Sequence, residues 1–470
     1  MADKPWPPQK WKDKYDKFNE WGAWYSGDRK ELLAVYQNTA GKFWNEDLVE
    51  DSKTMLHLPV AGDIAETSAN LLLSEPPDIK IPEAHEEDAD GDAVKAQERL
   101  DEIVDGIDLY SRMLEGAETA SPMGGFYVKA NWNTDFKPFP ILSIAHADNA
   151  VPEFKWGFLK AVTFHKIVDQ PKHTEVYRHL EIHEPGLIRN ELWKGTTSDL
   201  GNQLPLDRHP ATEDLQEVIE TGLDGLACRY IPNKKPNRLW RDSDLGQSDL
   251  SGIEGFMDAL DEVYTSWIRD IKLAKGRIIV PDYMLEVDED KNAKFNIDRT
   301  IYEAINMGPG GEESGQEITI NQFDIRAEKH SKTARELLEQ IYTKAGFSPQ
   351  SFGMQGENNA ITATEVKAKE GKSYKTRNKK ARYFQNGIED ALYMILQLDA
   401  KYFGSGIKPY RPQVILKDSI QENPLDYADS IKKLDAAEAM SVDTKVRKLH
   451  PDWTEKKKKK EVNTVLQEKG

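Results

Sequence analysis

The spacing of hydrophobic positions changes character several times along the 470 residues. After Pro59, the residues Val60, Ile64, Leu71 and Leu72 share one helical face, and Ser74-Glu-Pro-Pro77 closes it, so the pattern predicts a helix over 59–73. Leu100, Ile103, Val104, Ile107 and Leu114 predict one continuous helix over 94–119. From Phe126 the period shortens to two, and 126–130, 141–145, 161–168, 175–183 and 189–192 read as strands. The helical period then returns in three long segments. The first, 251–275, opens on Ser251-Gly-Ile-Glu254, which has the spacing of a capping box, and carries Phe256, Met257, Leu260, Tyr264, Trp267 and Ile271. Its length predicts a rod of about 36 Å. The second, 327–345, carries Ala334, Leu337, Leu338, Ile341 and Tyr342. The third, 362–403, carries Phe384, Ile388, Leu392, Ile395 and Leu396, with Gly371 and Gly387 expected to bend it. Between the first two lies a compact section, 277–326, with strands expected at 277–281 and 317–323 and a short helix near 300–306. Short helices are expected at 425–440, 442–449 and 454–467. The first 57 residues are rich in Trp and read as a peripheral arm with a short helix at 28–37. The fold class is α+β, without an internal repeat.

One stretch defeats any period. Residues 347–361 read Phe-Ser-Pro-Gln-Ser-Phe-Gly-Met-Gln-Gly-Glu-Asn-Asn-Ala-Ile, between two strongly helical segments. A long irregular link inside a compact domain is more often functional than decorative. Here it points to a mechanical element displayed on a rigid frame.

Composition narrows the class. Hydrophobic content of 38% with 31% charged residues fits a soluble protein, and a mean hydropathy of -0.69 fits an elongated subunit with much surface. No run approaches the ~20 apolar residues that span a bilayer. The first residues lack the apolar stretch of a signal peptide, so folding in the cytoplasm is expected. Cys228 is the single cysteine, which excludes an intramolecular disulfide and a thiolate cluster; it reads as a small apolar residue in a strand. The net charge of -18 argues against a tight, static grip on DNA, because counterion release needs a basic contact surface.

Motifs for chemistry mostly fail. Gly310 to Gly315 has the glycine spacing of a phosphate loop, but Gln316-Glu317 stands where Lys and Ser/Thr are needed, and Glu312 and Glu313 would repel phosphate. Asp288–Asn292 starts like a calcium loop, yet Ala293 and Arg299 occupy the positions that require Gly and Glu. His179 and His183 are four apart, but in a strand pattern with Glu181 between them, unlike a zinc protease helix. No catalytic residue, metal site or cofactor is expected. Two basic tracts remain. Lys367, Lys369, Lys372, Lys375, Arg377, Lys379, Lys380 and Arg382 read either as the polar face of an amphipathic helix or as positive charge near DNA or an acidic neighbour. Lys456–Lys460 reads as a solvated face or as a contact with packaged or passing DNA.

The order helix, compact section, helix, loop, long helix resembles the portal proteins of long-tailed double-stranded DNA phages. Three segments match in wording as well: His57-Leu-Pro-Val-Ala-Gly-Asp-Ile-Ala-Glu-Thr-Ser-Ala-Asn-Leu-Leu72 with Glu75-Pro-Pro77, Ser248–Pro281 ending Lys275-Gly-Arg-Ile-Ile-Val-Pro, and Leu449-His-Pro-Asp-Trp-Thr454. The resemblance covers about 30–465. It implies a ring of about twelve copies around a channel, with a wing (58–250), stem helices (251–276 and 327–346), a small α/β clip (277–326), a tunnel loop (347–361), a long wing and crown helix (362–403) and a helical crown (404–470). Implied partners are double-stranded DNA, the terminase large subunit, a head-tail connector or adaptor, and scaffolding and major capsid proteins, at a capsid vertex of the virion and with no membrane. In that setting Gln350, Gln355, Asn358 and Asn359 offer neutral groups to passing DNA. Lys367, Lys372, Lys375 and Lys379 are the candidate contacts to DNA or a neighbouring copy. The alternative classes are a phage nuclease or capsid-processing hydrolase, and a structural adaptor without a channel.

Overall fold

A computed structural model describes residues 4–37, 39–45, 55–84, 91–172, 174–274, 277–279, 286–287, 293–294, 319–321, 325–354, 363–417, 432–433, 440–449 and 455–469. In chain order the N-terminal helices are α1 (Lys12–Ser26), α2 (Arg29–Tyr36) and α3 (Val60–Leu72), followed by strand β1 (Asp78–Lys80) and helices α4 (Gly91–Gly106) and α5 (Leu109–Met123). Strands β2 (Gly125–Asn131), β3 (Ile141–His146), β4 (Ala150–Lys155), β5 (Phe158–Lys172), β6 (Glu175–Glu184), β7 (Leu187–Gly195), β8 (Asn202–Leu204), β9 (Val218–Glu220) and β10 (Cys228–Pro232) follow. Helix α6 (Glu254–Leu273) leads to β11 (Arg277–Ile279), β12 (Glu286–Val287), β13 (Ala293–Lys294) and β14 (Thr319–Asn321). Helices α7 (Ala327–Ala345) and α8 (Ala363–Tyr402) and strand β15 (Gln413–Ile415) precede two terminal helices, Val442–Leu449 and Glu455–Lys469. The pairs β11–β14 and β12–β13 are both antiparallel. The expected helix near 300–306, the Gly310 to Gly315 stretch, the Asp288–Asn292 turn and most of 425–440 lie outside the described residues.

The chain divides into two compact units. Unit 1 comprises Met1–Gln9, Ala65–Ser248 and Gln350–Gly470. Its larger sheet runs β4-β5-β6-β7-β8 with β9 added to β7, and a second sheet runs β10-β2-β3. The core lies where α5 and α8 pack on β2, α8 packs on β10 and α4 packs against α5: Leu100, Ile103, Met113, Phe126, Ile231, Phe384 and Ile395 are all buried there. Helix α8 changes character along its length. Ala391, Leu392, Met394, Ile395, Leu396 and Leu398 are fully buried, as a helix that is apolar all round must be. The Asp399 carboxylate is buried with them and accepts two hydrogen bonds from Arg99 of α4, at 2.7 and 3.1 Å. Gly387, inside this continuous helix, allows close approach: a Cβ there would sit 2.5 Å from the Ile231 side chain of β10.

The helix expected over 94–119 is two helices. Gly106 packs against the Phe139 ring, which would lie 2.3 Å from a Cβ, and Asp108 takes a left-handed backbone, φ +49°, between α4 and α5. The apolar stripe continues across this break, which is why the spacing alone does not reveal it.

Unit 2 comprises Lys10–Ile64 and Asp249–Pro349. Helix α1 is not among the elements predicted above, although Trp11, Tyr15, Phe18 and Trp21 recur at helical spacing and are buried. Trp21, Trp24 and Trp44 are among the largest fully buried side chains, so the Trp-rich segment supplies core to this unit rather than hanging at its edge. It is held by a polar stripe of α6. Glu254 accepts from the Trp21 indole at 2.9 Å, Asp258 from the Phe43 amide at 3.1 Å, Asp261 from the Trp44 indole at 3.1 Å, and Thr265 from the Leu56 amide at 2.9 Å. The i, i+4, i+7, i+11 spacing puts all four on one face. The expected capping box therefore does not form. Helix α6 starts at Glu254 itself, without a side-chain cap, and the Glu254 carboxylate accepts from Gly252 and Trp21 instead.

Candidate functional site

Helix α7 lies antiparallel to α6, because its first residues meet the end of α6 and its last residues meet the beginning. Arg326 and His330 both bond Asp270, at 2.8 to 2.9 Å, and the Trp267 and His330 rings stack at 6.1 Å. At the other end the Lys344 ammonium sits over the Phe256 ring. Hydrogen bonds from Arg326 and then from His330 hold the Asp270 carboxyl well below the usual carboxylate range.

The loop begins as ordered structure. Gly346, φ +111°, ends α7 and donates to the Tyr342 and Thr343 carbonyls, as an αL cap does. Phe347 and Ser348 are buried. Pro349–Phe352 form a 3-10 turn that includes the half-buried Gln350. The Ser351 and Ser373 hydroxyls lie 2.9 Å apart, which ties this turn to α8. Gly353 follows at φ +75° with open space beside it. The irregular stretch expected from Phe347 onward is thus anchored over its first six residues. Gln355, Asn358 and Asn359 lie outside the described residues.

The basic tract separates into two groups. Arg377 is buried and donates to the backbone carbonyls of Leu71 and Lys417, and Lys380 is buried and donates to Ser68 at 2.6 Å. These two cations are structural. Lys372, Lys375, Lys379 and Arg382 are exposed, and their spacing of three, four and three residues places them on one stripe, away from Phe384 and Ile388. Among the described residues, no ion pair involves Lys375, Lys379 or Arg382. Lys367 falls in the first turns of α8, where the backbone is described. The Lys456–Lys460 tract lies on the helix Glu455–Lys469.

The two histidines weighed as metal ligands have other partners. On β6, His179 bonds the Asn190 side chain at 2.9 Å, and His183 bonds Glu181 at 2.6 Å. Lys129 of β2 closes the network on Glu181 at 2.7 Å. Burial would raise the Glu181 carboxyl, but His183 and Lys129 outweigh it and hold it down to about 2. Cys228 is buried, and burial pushes its thiol up to about 12. Among the described residues no group of His, Cys, Asp and Glu is arranged to hold a metal ion, and no helix is long and apolar enough to cross a membrane.

A family model described as "Phage portal protein, SPP1 Gp6-like" matches residues 8–469. No curated protein sequence matches the chain. Among solved structures the chain is similar to one described as "Neck of empty GTA particle computed with C6 symmetry". Identity is 13% and the TM-score 0.41, with 89% of this chain and 97% of that chain covered.

Proposed function

The chain belongs to the phage portal protein family of the SPP1 Gp6-like type, and from that premise we propose that about twelve copies close into a ring through which double-stranded DNA is packaged and later ejected. A portal protein is the homo-oligomeric channel at one vertex of the virion capsid. The family match across 8–469 carries the reading. In this reading residues 58–250 form the wing, α6 and α7 the stem, 277–326 the clip, 347–361 the tunnel loop and 404–470 the crown. The terminase large subunit docks on the clip during packaging, and a head-tail connector takes the same surface afterwards. Scaffolding and major capsid proteins surround the ring, which assembles in the host cytoplasm. The protein performs no chemistry of its own.

The physical case rests on weak contacts. A duplex carries one negative charge per ~1.7 Å of axis, and each subunit carries a net -18, so the subunit as a whole repels the rod rather than holding it. A loop of Gln350, Gln355, Asn358 and Asn359 offers neutral hydrogen-bond groups, which hold phosphate more weakly than Lys or Arg. The stem pair is about 30 Å long and is clamped at one end by the Arg326–Asp270 ion pair. Lys367, Lys372, Lys375 and Lys379 on α8 provide the positive counterweight, against DNA or an acidic neighbour.

Negative-stain images of the purified protein are expected to show annular particles, and monomers at every concentration would refute the reading. Deleting Gly353–Asn358 is expected to stop packaging while rings still form; normal packaging by the deletion variant would remove the loop from the mechanism.

A further inference from the structure

The β4–β5 hairpin ends in an exposed aromatic knob. Its two-residue loop is Trp156-Gly157, and both residues have positive φ, +54° and +85°. Tight two-residue hairpins favour this geometry because it matches the twist of the strands. Glycine adopts it freely, whereas a bulky residue does so at a cost. The Trp156 side chain gains no burial in return: it is 85% exposed, and Phe158 beside it is 78% exposed. Lys155 lies over the Trp156 ring, 4.3 Å from its centroid, so an ammonium sits against the aromatic tip, with the Asp244 carboxylate 3.7 Å from the Cβ position of Gly157.

The same unit contains a hole of complementary chemistry. A cavity of about 390 Å³ is lined by Pro76, Pro77, Ile79, Leu109, Tyr110 and Met113. Its volume is near the lower end of ligand-pocket sizes, suited to one or two aromatic side chains. Asp105 and Asp108 stand at its edge, both exposed, where α4 and α5 part. Among the described residues, Trp156 and Asp108 are the two non-glycine positions with left-handed backbone. One forms the tip of the knob and the other the mouth of the hole. Local strain of this kind gathers at functional contacts.

We propose that Trp156 and Phe158 of one subunit seat in the cavity beneath Asp105 and Asp108 of the next subunit around the ring, with Lys155 facing the two carboxylates. This rests on the portal reading, which supplies the second copy. The lining of the cavity includes neither Trp156 nor Phe158, so the contact joins separate copies. A knob and a hole on different patches of one chain make a heterologous contact, which passes from subunit to subunit and closes when the rotation closes.

Cross-linking tests the contact directly, because the single native cysteine is buried and does not compete. Oxidising a Phe158→Cys/Asp105→Cys double variant is expected to give a ladder of linked oligomers that ends at the full ring. Rings seen by microscopy without any ladder would overturn the knob-in-hole contact and leave the portal reading standing. A wild-type protein that never forms rings would overturn the portal reading, and this contact with it. Trp156→Asn serves as a second arm, since Asn tolerates the left-handed backbone. It is expected to raise the concentration for half-assembly about tenfold or more, the effect of losing a buried aromatic anchor, with an unchanged or higher melting temperature. Unaltered assembly would count against the knob. Lys155→Glu should weaken assembly and be rescued by Asp105→Lys/Asp108→Lys, and failure of that rescue would remove the charge pairing.

Discussion

At the scale of single residues, Arg99 and Asp399 form a buried ion pair in unit 1. Asp399 is fully buried, and its two hydrogen bonds come from Arg99. Removing one partner leaves an uncompensated charge in the core, whereas removing both leaves only a packing change. Arg99→Met is therefore expected to cost about 3–5 kcal/mol, and adding Asp399→Leu should recover most of it. Urea unfolding of both variants measures this, and a double variant as unstable as the single one would show that the loss is packing rather than charge. Neither residue was marked by the sequence, since they lie 300 positions apart and neither sits in a motif. The split of the basic tract was equally hidden. Lysines and arginines alternate along α8 without distinction, and only the positions of Ser68 and the Leu71 carbonyl decide that Lys380 and Arg377 turn inward.

At the scale of elements, the long helices were legible because each carries one apolar face, and α6, α7 and α8 lie close to their expected bounds. What the pattern could not supply was contact from elsewhere. The break between α4 and α5 depends on the Phe139 ring beside Gly106, and the start of α6 depends on an indole from α1 that draws Glu254 away from a cap. The acidic stripe of Glu254, Asp258 and Asp261 was present in the sequence, but such a stripe ordinarily marks a solvated face. Burial pushes the Asp258 and Asp261 carboxyls up, the opposite of Asp270 at the far end of the same helix. Asp270 gives a prediction for the α6–α7 pair. A carboxyl with a depressed folded pKa adds stability that is complete above its unfolded pKa of ~3.9 and is lost as pH falls through the folded value. Hydrogen-exchange protection at this end of the pair is expected to be flat from pH 7 to 5 and to fall below pH 4. In Asp270→Asn that acid step should be absent; its persistence would assign the loss to other carboxylates. The effect should be modest, because Arg326 is largely exposed and screened by solvent.

At the scale of the whole molecule, charge opposes assembly. Copies carrying -18 each repel one another, while an exposed ion pair such as Lys155 with Asp105 contributes only ~0–1 kcal/mol. Repulsion is the larger effect and is screened within ~10 Å at 0.1 M salt. Raising salt from about 0.05 to 0.5 M is therefore expected to favour rings, as followed by sedimentation velocity. Rings that dissolve in salt would instead show that attractive charge pairs dominate the interface. One feature of unit 2 reaches back to how the chain is made. Its core combines Lys10–Ile64 with Asp249–Pro349, and the Trp21 indole finds its acceptor 233 positions later. At a synthesis rate of ~5–20 residues per second, the first segment leaves the ribosome roughly 10–50 s before α6 does. During that interval Trp21 and Trp44 lack their α6 acceptors, Glu254 and Asp261. The nascent chain thus offers a row of indoles to chaperones, and unit 2 cannot complete its core until most of the polypeptide has been translated.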